Sequence, residues 1–325
     1  MDKKLLLEIF KIPARTKQES KMRDFIKKFL NKLRIPFSVD AKGNLYNVSN
    51  SNSPLLSAHM DTVQDAIDAR LTSFINIHGN YLSGYGVIGG DDKCGILIIL
   101  ELLKVKKDLN FVFSVEEESG GNGMMTFVAN NDLLNIPYGI VLDRRGGNDI
   151  LCEKNDYGVK EFEDTLTEIG KLYGYKSAVG TFSDADYLNE QMSVANLSVG
   201  YYNPHMKSEF VKLNELKNAM DFTWQIVKNV KTKFKIPQSY KKYGYYGGDY
   251  GSVYEDEDYR EDFKCSSCGS FSWENIYLQT IKKYLCKNCF IELYAEISEK
   301  NKNILIAENN IDKELEIFNE PDGTI

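Results

Sequence analysis

The chain has no long hydrophobic run. The longest, Ile96 to Leu100, is five residues, against the roughly 20 that a bilayer-spanning helix needs. Its first residues, Met1-Asp-Lys-Lys-Leu-Leu-Leu-Glu8, carry charges but no apolar stretch of the length a secretory signal requires. Excess positive charge is also missing: 40 Lys and Arg face 47 Asp and Glu, a formal net charge of -7. A general nucleic-acid binder needs a clustered cationic face to displace phosphate counterions, so none is expected for the main body of the chain. Cysteine is scarce, with six in 325 residues, which excludes a secreted disulfide scaffold. Four of the six form two CxxC pairs, a pattern of metal ligation in a reducing compartment. These absences together predict a cytoplasmic protein with no membrane partner. Histidine is rarer still, with three in all, so the position of each carries weight.

What is present supports a folded enzyme-sized body. Hydrophobic residues make up 42% and charged residues 27%, enough to bury a core. Residues 20–33 place Met22, Phe25, Ile26, Phe29, Leu30 and Leu33 on one helical face. Residues 36–49 read as a hairpin turning at Lys42-Gly43-Asn44, and 55–58 as a short strand running into His59. An apolar helix over 93–103, strands over 109–115, 138–142 and 194–199, and a closing helix capped by Asn214 complete the pattern. Strands alternating with helices predict an α/β fold with a mostly parallel central sheet and helices on both faces. Ligands in such sheets bind beyond the carboxyl ends of the strands, where His59, Glu117, Glu118 and Asp143 all fall.

Five segments carry the chemistry: Ser57 to Val63 around His59 and Asp61, Gly89 to Gly95 around Asp91, Glu116 to Gly120, Leu142 to Gly146 around Asp143, and Tyr202 to His205. They form a mixed His/carboxylate set suited to zinc. A two-metal site needs a His and a carboxylate for each ion plus a bridging carboxylate, the ions about 3.5–4 Å apart. Asp61, two residues beyond His59 at a strand end, is placed to accept a hydrogen bond from the ring nitrogen that does not bind metal, fixing the tautomer. Alone, a His-x-Asp or a glutamate triplet is more often a surface feature; their joint order at strand ends reverses that weighting. His78 reads as a turn residue, Asp92 as a backbone-orienting side chain and Lys93 as a helix start or carboxylate partner. Glu116 reads as a supporting or solvated acid, and Cys94 and Cys152 as packed thiols.

In this order the segments resemble the co-catalytic zinc exopeptidase superfamily, which includes peptidase T, carboxypeptidase G and related deacylases. The resemblance covers about residues 5–230. It implies one zinc on His59 and Asp143, a second on Glu118 and His205, and Asp91 bridging them, often followed by a cis peptide. It also implies Glu117 as the general base that takes a proton from the attacking water and returns it to the leaving amine. Cobalt or manganese would serve in place of zinc. The implied substrate is a short peptide or an N-acyl amino acid. Two departures qualify the resemblance. Only 61 residues separate Asp143 from His205, too few for the dimerisation lid that many relatives insert there, so a lidless body is expected. Asp91 nevertheless follows His59 by 32 residues, as in the lidded branch. Loss of the lid removes residues that would read a substrate carboxylate, a task Arg144 and Arg145 could take up. An aminopeptidase or dipeptidase is therefore favoured.

Composition divides the rest of the chain. Residues 1–235 are expected to form the catalytic domain, 236–262 a Tyr/Gly/Asp-rich linker, 263–297 a zinc-ribbon-like module and 298–325 a polar tail. In the module, Cys265 and Cys268 are followed 17 residues later by Cys286 and Cys289, a spacing that lets four thiolates hold one structural zinc. It could serve a protein partner or simply stabilise. A second function class follows: an inactive peptidase-fold adaptor that binds a partner through this ribbon. The intact ligand set and Glu117 favour the enzyme.

Overall fold

Apolar spacing sets the first layer. The computed structural model describes residues 1–64, 68–237, 275–278 and 283–286, and the chain divides into units Met1–Asp249 and Tyr250–Ile325. Helix α1 (Lys3–Phe10) lies ahead of the first expected helix and buries Leu5, Leu6, Ile9 and Phe10. Asp2 caps it, Oδ1 accepting the N–H of Lys4 and of Leu5 at 3.0 and 3.1 Å. In α2 (Ser20–Leu33) the fourfold spacing of Met22, Ile26 and Leu30 makes the buried stripe.

Strands β1 (Ser38–Val39) and β2 (Leu45–Asn47) form the expected hairpin. Strand β3 (Leu55–His59) follows, then α3 (Asp68–Leu71), β4 (Asn76–His78), β5 (Tyr81–Ser83), α4 (Gly90–Val105) and β6 (Asn110–Ser114). After them come α5 (Asn122–Asn130), β7 (Gly139–Arg144), β8 (Asp149–Leu151), α6 (Lys160–Gly170), β9 (Lys176–Ser177) and α7 (Ala185–Leu188). The unit ends with β10 (Val194–Ser198), β11 (Tyr201–Tyr202), β12 (Phe210–Lys212) and α8 (Leu213–Asn229).

Eight strands form the main sheet in the order β1-β2-β6-β3-β7-β10-β8-β9. The four central strands, β6, β3, β7 and β10, are mutually parallel. Alternate side chains go to opposite faces. Leu56, Phe111, Phe113, Ile140, Leu142 and Ala195 join the core with α1, α2, α4, α6 and α8. Leu55, Val112, Val141 and Val194 join a second core with α5 and α7. Helices therefore cover both faces, as predicted. Near-continuous apolar strands follow from burial on both sides.

A second, antiparallel sheet has the order β11-β12-β5-β4. It accounts for the wide interval between His59 and Asp91, since β4 and β5 are built there. Between Asp143 and His205 the chain forms β8, α6, β9, α7, β10 and β11, all in or against the two sheets, and no lid domain is inserted. The cap expected from Asn214 is supplied differently. Asn214 lies inside α8, and its N–H donates to Asn80 Oδ1 at 2.9 Å while the Asn80 carbonyl accepts from Leu213 N–H at 2.7 Å. Among the described residues no helix is long and apolar enough to cross a membrane.

In the second unit the described residues are β13 (Asn275–Leu278) and β14 (Lys283–Cys286), paired antiparallel with Asn275 opposite Cys286. Cys265, Cys268 and Cys289, the linker beyond residue 237 and the tail lie outside the described residues.

Candidate active site

The parallel strands of the main sheet bring their carboxyl ends to one edge, and three segments of the predicted set, at β3, β6 and β7, lie there. His59 ends β3, fully buried, its N–H donating to Asp92 Oδ2 at 3.1 Å. Its ring Nδ1 lies 2.9 Å from the Asp61 carbonyl oxygen. A carbonyl only accepts, so Nδ1 carries a proton and Nε2 is the nitrogen that faces the carboxylates. The predicted tautomer lock is therefore present, but through the main chain of Asp61; its carboxylate stands 3.5 Å from Nδ1. That carboxylate instead accepts the N–H groups of Glu117 and Glu118 at 3.0 and 3.2 Å. Asp61 thus ties the His59 strand to the glutamate turn.

Asp91 lies between the two imidazoles. Its Oδ1 is 2.9 Å from His59 Nε2 and its Oδ2 is 3.3 Å from His205 Nε2. Asp143, in β7, stands 3.6 Å from His59 Nε2, and Glu118 Oε2 is 3.0 Å from His205 Nε2. The ligand atoms of His59, Asp91 and Asp143 lie within 4.8 Å of one another, and so do those of Asp91, Glu118 and His205. Glu117, 8% exposed, groups with His59 and Glu118 in the same way. The five residues expected from the sequence as ligands, and the expected base, therefore converge.

Further side chains support these groups. Glu209, 2% exposed, accepts from Gly89 N–H at 2.7 Å and Asp91 N–H at 3.1 Å, holding the segment that presents Asp91. Tyr201 O–H donates to Asp143 Oδ1 at 3.1 Å, and Asn196 Oδ1 accepts Asp143 N–H at 3.1 Å. Ser114 O–H donates to buried Asp184 beneath the site. A lone acid four residues after His205 was the only sequence signal for Glu209; Tyr201 and Asn196 had none. The Asp91–Asp92 peptide is cis, as the resemblance implied. Asp92 orients backbone, its Oδ1 accepting Gly95 N–H at 2.9 Å. Lys93 is buried in the first turn of α4 and donates to the carbonyls of Phe10 and Ile88 at 3.1 and 3.0 Å. Glu116 pairs with Lys42 at 2.8 Å. Arg144 pairs with Asp149 at 3.2 Å, while the Arg145 carbonyl accepts from Ser198 O–H at 2.7 Å. Cys94 and Cys152 are buried free thiols.

Acid crowding dominates the electrostatics. Burial, and then Asp91 beside it, push Asp143 up to about 8. Burial likewise lifts Glu117 well above the carboxylate range, and burial with Asp91 lifts Glu118. Burial works against charge on Asp91 and His205. The two imidazoles outweigh it to hold Asp91 low, and Asp91 and Glu118 outweigh it to raise His205 to about 11. Cations would let all these acids ionise together. The donor set fits them in one further respect: Glu118 Oε1 is buried without a hydrogen-bond partner beside His205, an orphan that a metal ion would satisfy.

Residues 55–229 match the model of peptidase family M20/M25/M40, more than half of the chain. The chain belongs to this family. It is 30% identical over 141 residues to a probable carboxypeptidase of Aspergillus clavatus, covering 38% of this chain and 34% of that protein. It is 27% identical over 177 residues to an uncharacterised protein, YqjE, of Bacillus subtilis, covering 46% of each. The chain thus spans between about a third and a half of the length of these curated relatives. Among solved structures, the aminopeptidase PepT of Bacillus cereus shares its fold, with a TM-score of 0.54 at 16% identity over 69% of this chain and 96% of that one.

Proposed function

We propose that the chain is a two-zinc peptidase acting on short peptides or N-acyl amino acids, most simply an aminopeptidase or dipeptidase. One observation carries this reading: Asp91 turns one carboxylate oxygen to each of two imidazoles, so that two three-residue ligand clusters share it. His59 and Asp143 would hold one ion, Glu118 and His205 the other, with Asp91 between. Zinc ions there, when bound, supply a lowered water pKa and polarisation of the scissile carbonyl. Glu117, buried beside both clusters, removes the proton from the attacking water and delivers it to the leaving amine. Asp61 keeps the His59 tautomer and fixes the turn that aims Glu117. The undivided stretch from Asp143 to His205 and the ion pair that engages Arg144 weaken a carboxylate-reading role for Arg144 and Arg145, which favours amino-terminal cleavage. One solved structure of the same fold is named an aminopeptidase, which supports the same choice.

A third, structural zinc is proposed on Cys265, Cys268, Cys286 and Cys289, with residues 1–235 as the catalytic domain and 263–297 as its ribbon. The test combines metal analysis with a hydrolysis panel of peptides and N-acyl amino acids under zinc, cobalt or manganese. About three zincs per chain are expected, two of them released first by chelators, with hydrolysis lost as they leave. Glu117→Gln is expected to lose about 10²–10⁴ in kcat while keeping its metal. Undiminished turnover in that variant removes Glu117 from the mechanism. A protein that holds only the ribbon zinc and hydrolyses nothing is instead the adaptor.

A further inference from the structure

The loop from Thr181 to Tyr187 carries two aromatic side chains that the chemistry above does not use. Phe182 is 47% exposed. Its ring meets Tyr187 edge to face, centroids 5.9 Å apart and planes at 87°, an arrangement favoured by the ring quadrupoles. The pair is anchored next to the proposed base. Tyr187 O–H donates to the Gly120 carbonyl at 2.8 Å, and Gly120 and Gly121 both donate N–H to the Glu117 carbonyl at 2.9 Å.

Gly121 is the floor beneath the rings. At φ +66°, a Cβ added there would lie 2.4 Å from Tyr187 Cε2 and 3.1 Å from Phe182 Cζ, so both rings touch the turn only because that side chain is missing. The loop is fixed as well as placed. Asp186 Oδ2 accepts Ser183 N–H at 2.9 Å and Tyr157 O–H at 2.8 Å, and Asp184 accepts Ser114 O–H. Tyr187 also feels the acids of the site: burial raises its phenol, and Asp184, Asp186 and Glu117 add to the rise. A wall of apolar carbon, held by these bonds and open to solvent at Phe182, therefore stands on the turn that carries Glu117.

We propose that Phe182 and Tyr187 form an apolar subsite for a large hydrophobic side chain flanking the scissile bond, so that the substrates are peptides with an aromatic or long aliphatic residue there. This rests on the peptidase reading. The occupant is argued from continuity with Glu117: the rings stand on the turn that carries this carboxylate, so a peptide whose bond is attacked by water held there would bring a neighbouring side chain toward them. Covering such a wall removes apolar area from water on both partners.

The test uses the full zinc-loaded chain with Ala-Ala, Phe-Ala, Ala-Phe and Lys-Ala. The wild type is expected to favour one phenylalanyl dipeptide over Ala-Ala by about tenfold or more in kcat/KM. Phe182→Ala should cut that ratio about tenfold, and Phe182→Leu should restore most of it. Dipeptide binding to Glu117→Gln by calorimetry should give the same order of Kd without turnover. A ratio unmoved by Phe182→Ala, or a preference for Lys-Ala, overturns the subsite while the peptidase reading stands. Binding that follows Phe182 in a wild type that cleaves nothing overturns the peptidase reading alone. Absence of both cleavage and binding overturns both.

Discussion

Glu209 accepts the N–H groups of Gly89 and Asp91, so the seat of the carboxylate between the two imidazoles depends on a side chain that touches neither ring. Burial pushes Glu209 up to about 8, and the two backbone donors it satisfies would be orphaned without it. Glu209→Ala is expected to cost about 2–4 kcal/mol in urea unfolding and to weaken zinc binding in a metal titration. Glu209→Gln, which retains one acceptor, should lose less of both; full zinc affinity in the alanine variant would sever Glu209 from Asp91. The residues proposed as ligands were legible in the sequence because His, Asp and Glu at strand ends are recognisable by type and place. Glu209 and Tyr201 were not, since a support is defined only by what it touches. Asp61 was half legible: its spacing from His59 gave the tautomer lock, but not that its carbonyl makes the bond while its carboxylate holds the N–H groups of Glu117 and Glu118.

At the scale of elements, the turn after β6 aims both glutamates and depends on how closely α5 starts behind it. Gly123, in the first turn of α5, donates its N–H to the Val115 carbonyl at 3.0 Å, and a Cβ there would fall 2.0 Å from that same oxygen and 2.6 Å from Asn44 Oδ1. The Val115 backbone cannot yield without moving Glu116 to Glu118. Gly123→Ala should therefore lose about 2 kcal/mol or more in denaturant unfolding, with hydrolysis falling further than stability alone explains. An alanine variant of wild-type stability and activity would refute this packing. The amphipathic α2 and the apolar strands were readable from their periods of 3.6 and 2. The start of α8 differs from the expected cap at Asn214 because the side chain that caps it, Asn80, lies 134 residues earlier in the β4–β5 turn. Two-residue strands such as β1, β9 and β11 carry too few side chains for any period.

For the whole molecule, the parallel order β6-β3-β7-β10 explains why candidate ligands scattered from His59 to His205 meet. Parallel neighbours end on the same edge, and His59, the glutamate turn and Asp143 follow adjacent strands. The small sheet then closes the site, since the loop between β11 and β12 carries His205 and Glu209. The division at Asp249 leads to a prediction at this scale. A chain ending at Asp249 is expected to retain hydrolysis and two zincs and to lose about one, measured by metal analysis beside the activity panel. Loss of all three metals would tie the catalytic unit's folding to the cysteine-bearing segment.

The sequence by itself determined the class of chemistry, the α/β layering and the absence of a lid. Each of these follows from residue type, local period or the length of chain between two points. Only the tertiary structure decided which oxygen of Asp91 faces which imidazole, that Glu209 and Asn80 are the supports, and that Phe182 and Tyr187 stand on the Gly120–Gly121 turn. These are contacts between residues dozens to more than a hundred positions apart. Their geometry is set by how strands and helices pack, which no local pattern encodes.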